Sequence, residues 1–240
     1  MRDETHNLFY IPPEKAREDT LVISGAEFHH LKNVLRKKPG DVLILTDGLG
    51  HRIEARILNS NRRETCAEIV KKEKMDLNAP VNIDLALAPL KGTRTDLVIE
   101  KGSELGVRRF IFFISQNSVV DTLSKAKIER YRKISLSAML QSQQYFLPEF
   151  DVRPKITDLV NTFSSYDSVL VADPSGGLDV PPDDKNILLI VGPEGGLDDR
   201  ELSSFIKTGA RTLSLGAIRL RSETAALAGI VKILSAYRII

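Results

Sequence analysis

From residue 81 to the end of the chain, stretches typical of β-strands alternate with stretches typical of helices. The strand-like runs, rich in apolar residues, are VNIDLALA (81–88), VRRFIFFIS (107–115), DSVLVAD (167–173), NILLIV (186–191) and RTLSL (211–215). Apolar residues at helical spacing predict helices over 93–105, 125–144, 198–209 and 222–237. Strands that alternate with helices predict an α/β fold in which helices cover a parallel sheet.

The first part of the chain follows a different pattern. Alternation of polar and apolar residues and turn signals predict hairpin-linked strands at 41–48, 51–58 and 65–70. Residues 28–40 have the spacing of a short helix that ends at Pro39-Gly40. A charged, turn-like stretch that ends in proline follows at 71–80. We therefore predict a small β-rich domain over 1–74 and an α/β domain over 75–240.

Composition excludes several classes of protein. No apolar run approaches the roughly 20 residues that a membrane span needs, and the polar N-terminus lacks the apolar core of a signal peptide. Cys66 is the one cysteine, so an internal disulfide is excluded, and no Cys/His cluster indicates zinc. We expect no membrane partner, no metal and a cytoplasmic location.

Basic side chains are concentrated in the N-terminal part of the chain. The formal net charge is only +2, but Lys and Arg outnumber Asp and Glu between residues 30 and 74. A phosphate backbone responds to such a local excess. A solvated surface that uses lysines for solubility explains the charge equally well. Five of these residues are candidate phosphate contacts: Arg36, Lys37, Lys38, Arg52 and Arg56.

The strand at 186–191 breaks abruptly into a glycine-rich loop, VGPEGGL (191–197). In an open α/β sheet, ligands bind beyond the carboxyl ends of the strands, and glycine lets backbone amides approach a ligand closely. No Gly-Lys-Ser/Thr follows, so the loop is not a phosphate-binding P-loop. It suits an adenine or a neutral ribose. From this loop alone, a tight turn without a ligand is an equally good interpretation.

A second glycine-bearing loop, LSLGAIRLRSET (213–224), leads from a strand into the last helix. Ser222 can cap the N-terminus of this helix, and Glu223 places a favourable negative charge in its first turn, so both residues have a structural explanation. Arg221 does not, because a cation is unfavourable at the N-terminus of a helix. A third strand ends in VLVADPSGG (169–177). If these three strands are neighbours, their loops form one pocket.

These residues resemble a known family. The two loops, together with FHHLKNVLRKKPGD (28–41) and APLKGTRTDLVIEKGSELGV (88–107), are similar to segments of the RsmE family in the SPOUT superfamily, which methylates N3 of a uridine in bacterial 16S rRNA. The resemblance implies a C-terminal SPOUT-type α/β domain with a deep trefoil knot and a small N-terminal PUA-like β-barrel that binds RNA. It also implies S-adenosylmethionine as cofactor, the small ribosomal subunit as partner, and a homodimer with the active site at the subunit interface.

The resemblance also assigns roles to individual residues. The cofactor-binding positions are Val191, Gly192, Glu194, Gly195, Gly196, Leu215, Gly216, Leu220, Arg221 and Thr224. The candidate catalytic residues are Arg221 and Glu223. Arg221 is the candidate cation that stabilises charge on the substrate. An ion pair of Arg221 with Glu223 or Glu194 is the alternative.

Four positions depart from the family pattern: Asn117, Leu140, Gln144 and Ile218. We expect all four on the side of the substrate, whereas the cofactor loops match the family. Two other functions therefore stay open. One is another SPOUT RNA methyltransferase that modifies a ribose 2′-hydroxyl or a different base. The other is a non-catalytic RNA-binding or ribosome-assembly factor.

Overall fold

The computed structural model describes residues 7–29, 31, 35–75, 79–181 and 183–240. Its contacts divide the chain into two compact units. The first comprises residues 1–78 together with 139–147, and the second comprises residues 79–138 together with 148–240. The sequence pattern did not indicate that residues 139–147 join the first unit.

The first unit is built on a five-stranded sheet. Its elements are β1 (Leu8–Tyr10), a 3₁₀ turn (Lys15–Arg17), β2 (Thr20–Ser24), α1 (Gly25–His29), β3 (Val42–Thr46), β4 (His51–Ser60) and β5 (Glu64–Lys74). The strand order is β1-β3-β4-β5-β2, with β1 parallel to β3 and the other described pairs antiparallel. Along β4, Ile53, Ala55 and Ile57 are buried and alternate with more exposed residues. One face of the sheet therefore forms the core of this unit.

The predicted helix over 28–40 is wrong for its last part. The observed helix α1 ends at His29, residues 30 and 32–34 lie outside the described part of the chain, and residues 35–40 are not helical. Gly40 N donates to the Ile57 carbonyl at 2.8 Å, and Ile57 N donates to the Asp41 carbonyl at 2.9 Å. Pairing with β4 therefore satisfies backbone groups that a helix would otherwise use.

Residues 139–147 are held against the turn between β3 and β4. Gly50 N donates to the Tyr145 carbonyl, and Leu147 N donates to the Gly48 carbonyl, both at 2.8 Å. Gly50 has a φ of +91°, and a Cβ at this position would overlap the ring of Phe146. Glycine is therefore required at residue 50 both by its backbone conformation and by this close approach.

The second unit has a six-stranded sheet with helices between the strands. Its elements are β6 (Asn82–Leu87), α2 (Arg94–Glu104), β7 (Arg109–Phe113), α3 (Lys125–Gln141), β8 (Glu149–Arg153), α4 (Ile156–Val160), a 3₁₀ turn (Phe163–Ser165), β9 (Ser168–Gly177), β10 (Asn186–Val191), α5 (Asp199–Lys207), β11 (Arg211–Leu213) and α6 (Ser222–Ala236). The order is β11-β9-β10-β6-β7-β8, and each adjacent pair is parallel. The predicted α/β fold with a parallel sheet is confirmed. The trefoil knot stays a prediction.

Both faces of this sheet are buried. Along β10, Ile187, Leu189 and Val191 belong to one core cluster, while Leu188 and Ile190 belong to a second cluster on the opposite face. The first cluster includes residues of α2 and α6, and the second includes residues of α4 and α5. Burial on both sides explains why β10 is a continuous apolar run rather than an alternating one.

Helix α5 begins as its sequence predicts. The Asp198 side chain accepts from Arg200 N, and the Glu201 side chain accepts from Asp198 N, which completes a capping box. Gly209, the predicted end of the helix, has a φ of +101°. Glycine adopts this left-handed conformation without steric cost, so it ends the helix.

Candidate functional site

The carboxyl ends of the parallel strands bring several loops to one edge of the second unit's sheet, here called the carboxyl edge. Strand β10 lies between β6 and β9, and β9 also pairs with β11. The strands at 169–177, 186–191 and 211–215 are therefore neighbours, which is the condition for a shared pocket. The loop after β6, at 88–93, also reaches this edge. Ligands of open α/β sheets bind in this position.

Arg94, at the start of α2, joins loops that are far apart in the sequence. Its Nη1 donates to Glu194 Oε1 at 3.0 Å, and its Nε lies 3.7 Å from Glu223 Oε1. Lys91 N also donates to Glu194 Oε1, at 3.1 Å. Glu194 lies in the loop after β10, and Glu223 lies in the first turn of α6. We refer to these three side chains as the Glu194–Arg94–Glu223 cluster.

The cluster leaves two buried carboxylate oxygens without a partner. Within the described part of the chain, Oε2 of Glu194 and Oε2 of Glu223 are buried and accept no hydrogen bond. Most buried polar atoms in proteins do have a partner. Burial opposes the ionised form of Glu194, but donation from Lys91 N, from its own N–H and from Arg94 outweighs burial and lowers the pKa of Glu194. The site is therefore equipped to accept hydrogen bonds or positive charge from a ligand.

The alternative interpretation of Arg221, an ion pair with Glu194 or Glu223, does not match the structure. Among the described residues Arg221 makes no ion pair, and Arg94 takes the place beside Glu194 and Glu223. Arg221 is the N-cap residue of α6, and its side chain is exposed. Ser222, the predicted N-cap, is instead the first helical residue and is buried. The Arg221 cation thus lies at the positive end of the helix dipole, and no ion pair with a described carboxylate offsets it.

Two kinds of glycine line the loops of the carboxyl edge. A Cβ on Gly192 would lie 3.0 Å from Leu197 Cγ, and one on Gly195 would lie 3.0 Å from Asn117 Cβ. Packing within the protein therefore explains these two glycines. Gly196 and Gly216 have φ values of +77° and +121°, and an added Cβ would meet no atom within 4 Å at either position. At these two residues, the space that a side chain would occupy is open.

The remaining predicted cofactor residues also lie at the carboxyl edge. Val191 is buried at the end of β10, and its carbonyl accepts from Ala88 N at 3.1 Å. Leu215 and Leu220 are half-buried on either side of the exposed part of the last loop, and Thr224 is exposed in the first turn of α6. The structure therefore brings the ten cofactor positions and Glu223 to one edge of one sheet.

The departures from the family pattern are distributed between the two units. Asn117 Nδ2 donates to the Gly196 carbonyl at 3.1 Å, so Asn117 contacts the glycine loop. Ile218 is 79% exposed in the last loop. Leu140 and Gln144 belong to the segment 139–147, which is grouped with the first unit. The expectation that all four lie on the side of the substrate stays a prediction.

Glu201 connects the glycine loop to the segment after β7. Its carboxylate accepts from Ser115 Oγ at 2.7 Å, from Gln116 N at 2.7 Å and from Asp198 N at 2.9 Å. The bond from Asp198 N belongs to the capping box of α5. The other two bonds hold the segment that carries Asn117 beside Gly195 and Gly196, so Glu201 supports the shape of the loop.

The basic residues of the first unit fall into two groups. Arg36 and Lys38 precede the segment at 40–41 that pairs with Ile57, next to the exposed Arg56 on β4. Lys37 lies between them. Arg52 is four residues from Arg56 along β4, or about 13 Å at the usual rise of a strand. Its Nη1 pairs with Glu54 and lies 3.8 Å from Glu73 Oε2. Arg52 is thus largely neutralised, whereas Arg36, Lys38 and Arg56 are exposed to solvent.

Sequence reasoning missed Arg94, although one signal pointed to it. Arg94 is the first residue of α2, where a cation is unfavourable to the helix dipole. The same argument singled out Arg221. A cation in the first turn of a helix that follows a strand in an α/β fold is therefore a usable signal for a site residue.

Two further properties bear on function. The described residues contain no group of three or more His, Cys, Asp or Glu side chains that could hold a metal ion. No helix within the described ranges has the length and the apolar character needed to cross a membrane.

Two family models match this chain. Residues 77–234 match the family model of an RNA methyltransferase domain, and residues 23–70 match that of an RNA methyltransferase PUA domain. The chain is similar to the ribosomal RNA small subunit methyltransferase E of Mesomycoplasma hyopneumoniae, with 30% identity over 88% of this chain and 92% of that protein. It is also similar to the Bacillus subtilis protein of the same name, with 28% identity over 87% of each.

A solved structure gives the same relationship. The crystal structure of a ribosomal RNA small subunit methyltransferase E from Neisseria gonorrhoeae, bound to S-adenosyl methionine, superposes with a TM-score of 0.84 and 27% identity. The similarity covers 96% of this chain and 98% of that chain. It therefore extends over both units and is not confined to a motif.

Proposed function

We propose that this chain, which belongs to the ribosomal RNA small subunit methyltransferase E family, transfers a methyl group from S-adenosylmethionine to N3 of a uridine in 16S rRNA. The observation that carries the proposal is the junction made by Arg94. It joins the loop after β10 to the start of α6, and it leaves two buried carboxylate oxygens for a ligand. A plain structural turn needs no such oxygens.

The residues at the carboxyl edge fit this cofactor. S-adenosylmethionine supplies an electrophilic methyl group on a positively charged sulfur. The open backbone at Gly196 and Gly216 suits close approach of an adenosine, and the buried oxygens of Glu194 and Glu223 suit positive charge. The residues proposed to hold the cofactor are Val191, Gly192, Glu194, Gly195, Gly196, Leu215, Gly216, Leu220, Arg221 and Thr224.

Arg221 and Glu223 are the proposed catalytic residues. The N3 atom of uracil becomes nucleophilic as its proton leaves, and negative charge then develops on the base. An exposed guanidinium with no carboxylate partner among the described residues stabilises such charge and helps to orient the base. Glu223 keeps one carboxylate oxygen available to a ligand while Arg94 holds the other.

The first unit is proposed to bind the RNA that surrounds the target base. Arg36, Lys37, Lys38 and Arg56 would contact phosphates, and Arg52 would contribute less because Glu54 and Glu73 already balance its charge. The target base must be unstacked to reach the second unit, which favours a single-stranded or distorted region of the rRNA.

We also propose that the protein acts as a cytoplasmic homodimer. Val231 on α6 is 41% exposed, and the C-terminal Ile240 is 59% exposed. These apolar side chains are compatible with a partner subunit, as the family resemblance implies. Light scattering after size-exclusion chromatography tests the proposal, and a monomeric mass at micromolar concentration would refute it.

Two measurements in solution test the proposed function. Isothermal titration calorimetry with S-adenosylmethionine is expected to show saturable binding. Incubation of isolated small ribosomal subunits with the protein and methyl-labelled cofactor is expected to label 16S rRNA. Binding without methyl transfer to any RNA would favour the non-catalytic RNA-binding or assembly factor. Absence of binding would exclude both enzymatic functions.

A different RNA target is the second candidate, because Asn117 and Ile218 depart from the family pattern at the carboxyl edge. In that case the labelled product would be a ribose 2′-O-methyl group or another methylated base. Digestion of the labelled RNA to nucleosides and separation by mass distinguish these products.

A further inference from the structure

The Glu194–Arg94–Glu223 cluster has more negative than positive charge. One guanidinium faces two carboxylates, and the structure describes no second cation in ion-pair contact with either of them. With both glutamates ionised, the cluster carries a net charge of −1. A buried charge that is not balanced is costly, so a bound cation would be held strongly at this position.

The burial of Glu223 provides the second observation. This residue is only 8% exposed, and its Oε2 is buried with no hydrogen-bond partner among the described residues. Glu194 Oε2 is buried without a partner as well, although it belongs to a different loop. Arg94 Nη1 donates to Glu194 Oε1, and Arg94 Nε lies 3.7 Å from Glu223 Oε1, so the guanidinium faces the Oε1 atom of each carboxylate.

A metal ion does not fit this cluster. The described residues contain no third carboxylate, histidine or cysteine that would complete a metal site here. An organic cation does not need a full set of coordinating ligands. The positively charged cofactor is therefore the ligand that the Glu194–Arg94–Glu223 cluster suits.

We propose that the Glu194–Arg94–Glu223 cluster makes the site selective for the cationic sulfonium of S-adenosylmethionine over the neutral sulfur of S-adenosylhomocysteine. The inference rests on the proposed function. Glu194 and Glu223 are the specificity-determining residues, and Arg94 is a positioning residue that fixes their Oε1 atoms.

Selectivity of this kind has a consequence for turnover. Methyl transfer forms a bond between N3 and the methyl carbon, breaks the carbon–sulfur bond and leaves that electron pair on sulfur, while the N3 proton passes to solvent. The sulfur thereby becomes neutral, and the cluster loses an attractive partner. The product then binds more weakly than the substrate form, which favours its exchange.

Charge-neutral variants test the proposal by binding rather than by activity. In Glu194→Gln and Glu223→Gln the amide keeps the size of the side chain and an oxygen that can accept from Arg94. We expect each variant to lose about tenfold in affinity for S-adenosylmethionine, in line with one partly screened charge interaction. S-adenosylhomocysteine has the same amino group as S-adenosylmethionine but no sulfonium charge. Its affinity is therefore expected to change by less than about twofold.

The matched control is Glu149→Gln. Glu149 also pairs with an arginine, at 3.0 Å from Arg109, but it is the first residue of β8, at the opposite end of the sheet, and is 69% exposed. The Glu149→Gln variant should bind S-adenosylmethionine and S-adenosylhomocysteine with the affinities of the wild type. Equal losses for both ligands in the cluster variants, or no loss for either, would overturn the inference. A wild-type protein that binds neither ligand would instead refute the proposed function.

Discussion

The guanidinium of Arg94 lies 3.0 Å from the carboxylate of Glu194, although the two residues are separated by 100 positions in the chain. Arg94 begins the helix after β6, and Glu194 lies in the loop after the neighbouring β10. The pair therefore exists only because the parallel sheet places these strand ends side by side. It links the glycine loop to the rest of the carboxyl edge.

Replacement of Arg94 by alanine should destabilise the protein in a pH-dependent way. At pH 7 we expect a loss of about 1–3 kcal/mol, the usual cost of leaving a buried hydrogen-bonding group without its partner. Burial acts to raise the pKa of Glu194, but two backbone N–H groups and Arg94 outweigh burial and lower this pKa from its ordinary 4.5. The stabilisation is therefore fully present above about pH 4.5 and is lost as the pH falls through the lower folded-state pKa.

Urea denaturation of the wild type and Arg94→Ala between pH 7 and pH 3 measures this dependence. The difference in unfolding free energy should shrink at the acid end. Arg130→Ala is the control, since Arg130 is 62% exposed and its pair with Asp96 should contribute at most about 1 kcal/mol. A difference for Arg94→Ala that stays constant with pH would contradict the role of the ionised Glu194.

Substitution by alanine should destabilise the protein at one of two adjacent glycines at the end of β9 and have little effect at the other. A Cβ on Gly176 would lie 2.6 Å from the backbone carbon of Thr212, whereas a Cβ on Gly177 would meet no atom within 4 Å. Gly176→Ala forces two backbone segments apart and should cost about 1–3 kcal/mol or more. Gly177→Ala should change stability by less than about 0.5 kcal/mol. Similar thermal unfolding midpoints for the two variants would show that the contact at Gly176 is not tight.

The strands that the sequence pattern did not predict share one physical property. They are β1, β2 and β8, and each lies at an edge of its sheet. Along β8 no residue is fully buried, and along β2 only Leu21 and Ile23 are buried. Each has only three to five residues, too few for a clear alternation of polar and apolar side chains in the sequence. In contrast, the central strand β10 was predicted over its full length, because both of its faces are buried.

Only the part of the candidate site that has a local sequence pattern was predictable. The glycine loops stand out locally, since a buried strand that breaks into several glycines is unusual in any context. Arg94 and the segment 139–147 owe their positions to contacts between distant parts of the chain. No local pattern encodes which strands become neighbours, so the partners of Glu194 and Glu223 could be seen only in the folded protein.

Removal of basic residues from the first unit should weaken RNA binding in a salt-dependent way. The double variant Arg36→Ala and Lys38→Ala should reduce the slope of log K against log salt concentration by about 1–2, roughly one unit for each lost phosphate contact. Arg52→Ala should change the slope little, because Glu54 and Glu73 already pair with Arg52. Binding to a 16S rRNA fragment at several salt concentrations measures the slopes. An unchanged slope in the double variant would exclude this group of residues from the RNA interface.

Substitution of Arg221 should separate activity from stability. Removal of a cation from the N-terminus of α6 should leave the unfolding midpoint unchanged or slightly higher. Methyl transfer by Arg221→Ala should fall about 100-fold or more, as is typical when a group that stabilises charge in the transition state is lost. Arg219→Ala, an equally exposed residue in the same loop, is the control. Normal turnover by Arg221→Ala would remove Arg221 from the catalytic residues.

Mass spectrometry of 16S rRNA nucleosides and fragments, from cells with and without the protein, tests the central claim most directly. The account predicts that one N3-methyluridine disappears when the protein is absent and returns when the wild-type chain is supplied. Complementation with Arg221→Ala should not restore it. An unchanged content of N3-methyluridine in 16S rRNA from cells that lack the protein would contradict the proposed reaction.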